Sequence, residues 1–338
     1  MSILHSFDYA AFSAVAFAFC FGLYAVLDGF DLGVGILIPF APRSADRDAM
    51  MESLDPFWDG NETWLVLGGI TLLTGFPMAF AVVMPALCVP LALMLFGFLL
   101  RGISFAFRGR GGPLKIIWSF AFAAGSIIAG FCQGAFLGAL VGGIPIVNGH
   151  FAGGLSLWLI LFSIVTGLGF VAGYGLLGAC WLIWKTRGPT QVFGRELTVP
   201  TLLCTGVAFA IVSIWIPLAL PRVAGRWSAW PNFLMLTPLM LIAVAAWIGV
   251  WRVRWGTRDW APFALSLLFF FISLAGVGAS VWPAAIPVVM KIWDTLSMHP
   301  TQAIMVLALV IIVPIILGYV VYGCWLVRGN VRPPSDLA

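Results

Sequence analysis

Apolar stretches long enough to cross a lipid bilayer recur along this chain, and few folds accommodate that pattern. Cut at charged or Pro/Gly-rich breaks, they fall near residues 9–40, 60–78, 80–101, 114–140, 152–184, 198–220, 232–251, 260–282 and 300–327. The expected fold is all-α, a polytopic membrane protein of nine transmembrane helices. Composition agrees: 62% of the 338 residues are hydrophobic and 9% are charged, and the mean hydropathy is +1.07, a balance that soluble domains do not have. Linkers are short, so residues 1–338 read as one integral membrane domain. Helices one to four (about 9–140) and five to eight (about 152–282) are expected to form two four-helix bundles, with helix nine (about 300–327) at the periphery. The cut between the second and third spans rests on Phe76-Pro77-Met78 alone and requires a tight hairpin there.

Basic residues set the expected orientation. The loops after helices one, three, five and seven, with the C-terminus, hold Arg43, Arg47, Arg101, Arg108, Arg110, Lys115, Lys185, Arg187, Arg195, Arg252, Arg254, Arg258, Arg328 and Arg332. Only Arg222, Arg226 and Lys291 fall on the other side. That 14 to 3 split is what the positive-inside rule predicts for nine spans with the N-terminus outside and the C-terminus in the cytoplasm. The net charge of +4 therefore reports loop topology, and no nucleic-acid partner is expected. The first apolar run lacks a basic n-region, carries Asp8 and outlasts a signal h-region, so it is expected to stay in the membrane.

Against this background four acids stand out. Asp28 and Asp31 lie in Leu27-Asp28-Gly29-Phe30-Asp31-Leu32-Gly33, and Asp59 and Glu62 in Trp58-Asp59-Gly60-Asn61-Glu62-Thr63-Trp64. Hydrocarbon penalises each ionised carboxylate by roughly 2.5 to 3.5 kcal/mol, so such residues are functional candidates by default. Each pair is spaced by three residues and shares a helix face. The first helix, about 30 residues or roughly 45 Å long, exceeds the bilayer core, which puts Asp28 and Asp31 in its cytoplasmic part. The second helix enters from the same side with Asp59 and Glu62, so both pairs are expected at one depth, where clustered carboxylates can hold and pass protons. A structural alternative has the acids capping the second helix and pairing with Arg43, Arg47 or Arg101. Gly29, Gly33, Gly35, Gly68 and Gly69 are expected to permit close helix contacts. The 16 tryptophans and 28 phenylalanines mostly mark interfacial belts and lipid-facing surface.

Other chemistries find little support. Six cysteines lie singly in apolar runs and are expected to act as small core hydrophobes. His5, His150 and His299 are the only histidines and map to outer ends or loops, so no haem is expected on this chain alone. Neither a metal-ligand spacing nor a catalytic motif is present in the sequence.

The two acidic segments, the second extended upstream through Asp55-Pro56-Phe57, together resemble subunit II of the cytochrome bd family of quinol oxidases. Lys291-Ile292-Trp293-Asp294 and Val313-Pro314-Ile315-Ile316-Leu317-Gly318-Tyr319 are similar to the same family, and the short loops to its cyanide-insensitive branch. The resemblance implies a heterodimer in the bacterial inner membrane. Its partner, subunit I, would carry haem b, haem d or a b-type substitute, and the quinol-oxidising loop; a small single-helix accessory subunit and membrane lipid are further expected partners. The resemblance further implies that the complex would oxidise quinol and reduce dioxygen to water, with protons drawn from the cytoplasm. The resemblance places Asp28, Asp31, Asp59 and Glu62 on a proton route into subunit I, with Trp58, Gly60, Asn61 and Trp64 supporting them. The competing expectations are a proton-coupled secondary transporter, which would also carry intramembrane acids, and a scaffold whose acids only cap and pair.

Overall fold

A computed structural model describes residues 8–55, 60–109, 112, 114–154, 156–219, 224–225, 227, 230, 232–282, 284–286 and 290–326. Helix α1 (Tyr9–Leu37) begins where the Asp8 carboxylate accepts the Ala11 amide at 3.0 Å, a side-chain N-cap. It is followed by α2 (Ser44–Glu52), α3 (Glu62–Gly75), α4 (Pro77–Ala86), α5 (Cys88–Arg108) and α6 (Lys115–Gly142). After a hairpin of β1 (Ile146–Val147) and β2 (His150–Phe151) come α7 (Leu161–Lys185), α8 (Pro189–Ala219), α9 (Asn232–Val253) and α10 (Ala261–Val281). A second hairpin, β3 (Ala284–Ile286) with β4 (Met290–Lys291), leads to α11 (His299–Leu326). The first hairpin turns on Asn148 and Gly149, both with positive φ (51° and 79°), the Asn-Gly pair that a tight antiparallel turn demands.

The all-α polytopic class holds, with changed boundaries. Among the described residues eight helices are long and apolar enough to span a bilayer. The expected second span survives as α3, whose 14 residues rise only about 21 Å. In place of a tight hairpin at Phe76-Pro77-Met78, the chain forms the ten-residue α4. Pro77 explains this: it lacks an N–H and suits the first helical position, so the chain bends at Phe76 (φ −132°, ψ 61°) and restarts. The third span then begins at Cys88, not residue 80. Residues 152–160 are not helical from the outset; Gly153 and Gly154 precede a 3-10 turn, and α7 starts at Leu161. Helix α8 starts nine residues before the expected 198, because Gln191, Arg195 and Glu196 end a hydropathy run without ending a helix. The short, polar α2 carried no hydropathy signal; its Met50 and Met51, with Leu54 just beyond, are nevertheless buried.

Lipid-facing and protein-facing apolar surfaces look alike, so helix association here relies on close packing of small residues. Helix α1 packs on α3, α6, α7, α10 and α11, while α7 also contacts α6, α8 and α10. The tightest approach is α1 on α7: a Cβ added at Gly33 would lie 1.8 Å from the Tyr174 carbonyl oxygen, and one at Gly178 2.3 Å from the Gly33 carbonyl carbon. Gly29 and Gly35 are equally confined, whereas Gly68 has ordinary clearance and Gly69 faces open space, which corrects the expectation for those two. Cys20, Cys132 and Cys180 are buried as expected, but Cys88 and Cys204 are exposed on the apolar exterior, and the Cys324 side chain lies outside the described residues.

Candidate functional site: a buried acid–arginine cluster

Three helices converge on the acids. On α1, Tyr24, Asp28 and Asp31 follow i, i+4, i+7 spacing and share one buried face. Helix α5 answers with Arg101 and Ser104, part of a buried stripe that runs on to Arg108. Asn61 immediately precedes α3, whose first turn supplies Glu62 and Trp64. Asp28 and Asp31 are 0% exposed, Arg101 2% and Trp64 0%, so the cluster is closed to bulk solvent.

Arg101 Nη1 donates to Asp28 Oδ1 at 3.3 Å, joining α5 to α1 through a buried ion pair. Asn61 Nδ2 donates to Asp31 Oδ2 at 2.6 Å and to the Leu27 carbonyl at 3.1 Å, joining α3 to α1. Tyr24 and Arg101 both act on Asp28, while Asp28, Arg101 and Glu62 all act on Asp31. The guanidinium also stands 5.5 Å from the Phe122 ring centre on α6. Polar capacity remains over. Asp28 Oδ2, Asp31 Oδ1, Arg101 Nε and Nη2, Ser104 Oγ and Trp64 Nε1 have no hydrogen-bond partner among the described residues. Buried polar groups are ordinarily satisfied, so the four such atoms on Asp28, Asp31 and Arg101 mark a place built to hold water or a neighbouring polar chain.

The structure thus brings together Asp28, Asp31, Asn61 and Glu62 from the sequence motifs, with Gly60 in the turn before α3. Asp59 and Trp58 lie outside the described residues. The alternative that the acids merely pair at an interface is correct in one respect, since Arg101 is Asp28's partner; Arg43 instead pairs with Asp46 at 2.9 Å. Arg101, a loop cation by hydropathy alone, sits two turns inside α5. Tyr24 and Ser104 belong to no motif in the sequence. Their signal was available only as helical spacing, one turn before Asp28 and three residues after Arg101.

Charged residues outside the cluster organise the helix ends on the Arg- and Lys-rich side. Asp48 accepts from Arg108 Nη2 at 2.6 Å and Lys115 Nζ at 2.8 Å, and Arg108 Nε donates to Ser119 Oγ at 2.8 Å. Partial burial opposes the Asp48 charge, but the hydrogen bonds from Lys115 and Arg108 outweigh it and hold this carboxyl below the usual range. Just before α10, Asp259 accepts from Arg187 at 2.5 Å and from Arg195 at 2.7 Å.

Fold and cluster together define a polytopic helical membrane protein with ionisable groups sealed between its first helices. The family model described as cytochrome bd terminal oxidase subunit II matches residues 9–327, and the chain belongs to that family. Relatives include the cytochrome bd-I ubiquinol oxidase subunit 2 of Escherichia coli (strain K12), 26% identical over 349 residues and covering 91% of each chain. The probable cytochrome oxidase subunit 2 of Haemophilus influenzae is 24% identical over 341 residues, covering 89% of each. In fold the chain is similar to one in the bd oxidase of Geobacillus thermodenitrificans, with a TM-score of 0.78 at 16% identity over 95% of this chain and 99% of that one.

Proposed function

We propose that this chain is the haem-free second subunit of a quinol:dioxygen oxidoreductase in a bacterial inner membrane, packed against a haem-bearing subunit I and supplying part of the cytoplasmic proton route. Its N-terminus is periplasmic and its C-terminus cytoplasmic in this reading, which the charge asymmetry supports. The described histidines do not fit haem ligation: His150 lies in the β1–β2 hairpin, and His299 opens α11 with its ring 4.8 Å from Tyr9, edge-on. The haems, b together with d or a b-type substitute, are therefore assigned to the partner, where quinol would be oxidised and dioxygen reduced.

The observation that carries the proton role is the sealed cluster itself. Two buried carboxylates face one guanidinium, so one exchangeable proton balances the charge, and the unspent oxygens of Asp28 and Asp31 are where it can be held. Asn61 fixes Asp31 and ties it to the start of α3, beside Glu62 and the segment that carries Asp59. Water bridging the remaining polar atoms would connect these groups. Arg101 keeps the pair anchored without consuming both Asp28 oxygens.

The test uses the complete purified complex. Asp31→Asn and Asp59→Asn should each leave haem content intact and lower quinol-driven oxygen consumption by about tenfold or more, the scale of general acid–base contributions. Unchanged turnover across the pH range in both variants would remove the proton role, and loss of haem would point to a scaffold instead.

A further inference from the structure

Two buried phenols and a buried amide adjoin the cluster and are not used by the reading above. Tyr24 and Tyr174 are 0% exposed and Gln133 is 2% exposed, all deep among α1, α6 and α7. Gln133 Nε2 donates to Tyr24 Oη at 2.5 Å, and the Tyr174 hydroxyl donates to Gln133 Oε1. This arrangement has a polarity. Tyr174 occupies the amide oxygen, so the amide nitrogen must face Tyr24; Tyr24 Oη is then an acceptor, and its own proton points elsewhere. One helical turn on, on the same face, lies Asp28, whose Oδ2 has no hydrogen-bond partner among the described residues and is open to the Tyr24 proton.

The seat of Tyr174 is built with equal care. A Cβ at Gly29 would lie 2.7 Å from its ring, and one at Gly130 3.0 Å from it, while Gly33 admits its backbone. Phe170 and Phe270 close the far side with ring centres at 5.5 and 5.2 Å. The chain of hydrogen bonds therefore ends in an apolar wall, and an amide in its middle does not hand protons on. It orients; it does not conduct.

We propose that Gln133 is a positioning residue: held by Tyr174, it commits the Tyr24 hydroxyl to donate to Asp28 and so sets the readiness of that carboxylate to take up a proton. The inference rests on the proton role proposed for Asp28. The other groups acting on this carboxylate are Arg101 from α5, Asp31 from α1 and Tyr174 from α7, with Glu62 of α3 reaching it through Arg101 and Asp31.

The experiment is a mutant cycle in the intact oxidase complex, read as turnover against pH. Tyr24→Phe and Gln133→Leu should each displace the pH profile in the same direction by about one pH unit, the scale of one hydrogen bond to a charged group, with KM for quinol unchanged. The double variant should move it no further than Tyr24→Phe alone, because Gln133 acts through Tyr24. Tyr174→Phe, which keeps core volume, should give a smaller shift of the same sign and serves if Gln133→Leu does not assemble. An unmoved profile in Gln133→Leu and Tyr174→Phe, or full additivity with Tyr24→Phe, overturns the inference while leaving the proton role standing. A wild-type profile in Asp28→Asn overturns the proton role itself.

Discussion

At the residue scale the pairing of Asp28 with Arg101 matters most, because each is buried and they share a single 3.3 Å contact. Removing one partner of such a pair leaves an uncompensated charge in a low-dielectric site, at about 3–5 kcal/mol. Arg101→Leu is accordingly expected to lower the thermal stability of the purified complex by that order. Arg101→Leu combined with Asp28→Asn should regain most of the loss, since the orphaned charge is gone; equal destabilisation in the single and double variants would argue that Arg101 serves packing alone. Much of this site is legible in the sequence: motif and cost single out Asp28, Asp31 and Asn61, and Asn61 meets Asp31 in the fold. Hydropathy alone misplaces Arg101, because its window ends at any cation, buried or not. Tyr24 and Gln133 were invisible for a different reason, as a lone polar group in an apolar helix has no partner until two helices are docked.

At the scale of elements the α1–α7 crossing sets the geometry on which the cluster depends. Gly33 and Gly178 meet backbone to backbone, and neither surface can retreat. Gly178→Ala should therefore destabilise the protein by about 1–3 kcal/mol or more and reduce the yield of assembled complex. Gly276→Ala is the control, because an added Cβ there meets nothing within 4 Å. Its stability should be unchanged or slightly raised by the better helix propensity of alanine. The crossing was legible as a glycine-rich stretch, though not which glycines mattered: Gly33 and Gly69 look equivalent in sequence, yet only one faces a neighbour. Phe76-Pro77 marked a true break, and the chain resolved it with an extra helix because proline starts helices as readily as it stops them.

Across the whole molecule, ion pairs collect at one set of helix ends, where Asp46, Asp48 and Asp259 each hold one or more cations. Asp48 links α2 to the α5 and α6 ends, and its carboxyl sits below the ordinary range in the folded protein. A carboxylate depressed by folding stabilises the protein above its unfolded-state value, about pH 3.9, and that contribution fades as pH falls through the lower folded value. Acid unfolding should thus show a component that Asp48→Asn abolishes, and that high salt weakens because the pair is partly exposed. An acid-unfolding curve identical for the two proteins would remove Asp48 from the account.

The central claim is that the sealed cluster of Asp28, Asp31 and Arg101 takes protons from the cytoplasmic side during oxygen reduction. The most direct measurement is time-resolved proton uptake by the reconstituted oxidase complex after an oxygen pulse, with Asp28→Asn beside the unaltered protein. The account predicts that the variant binds oxygen and retains its haems while proton uptake slows by about tenfold or more. Uptake at the original rate in that variant would contradict it.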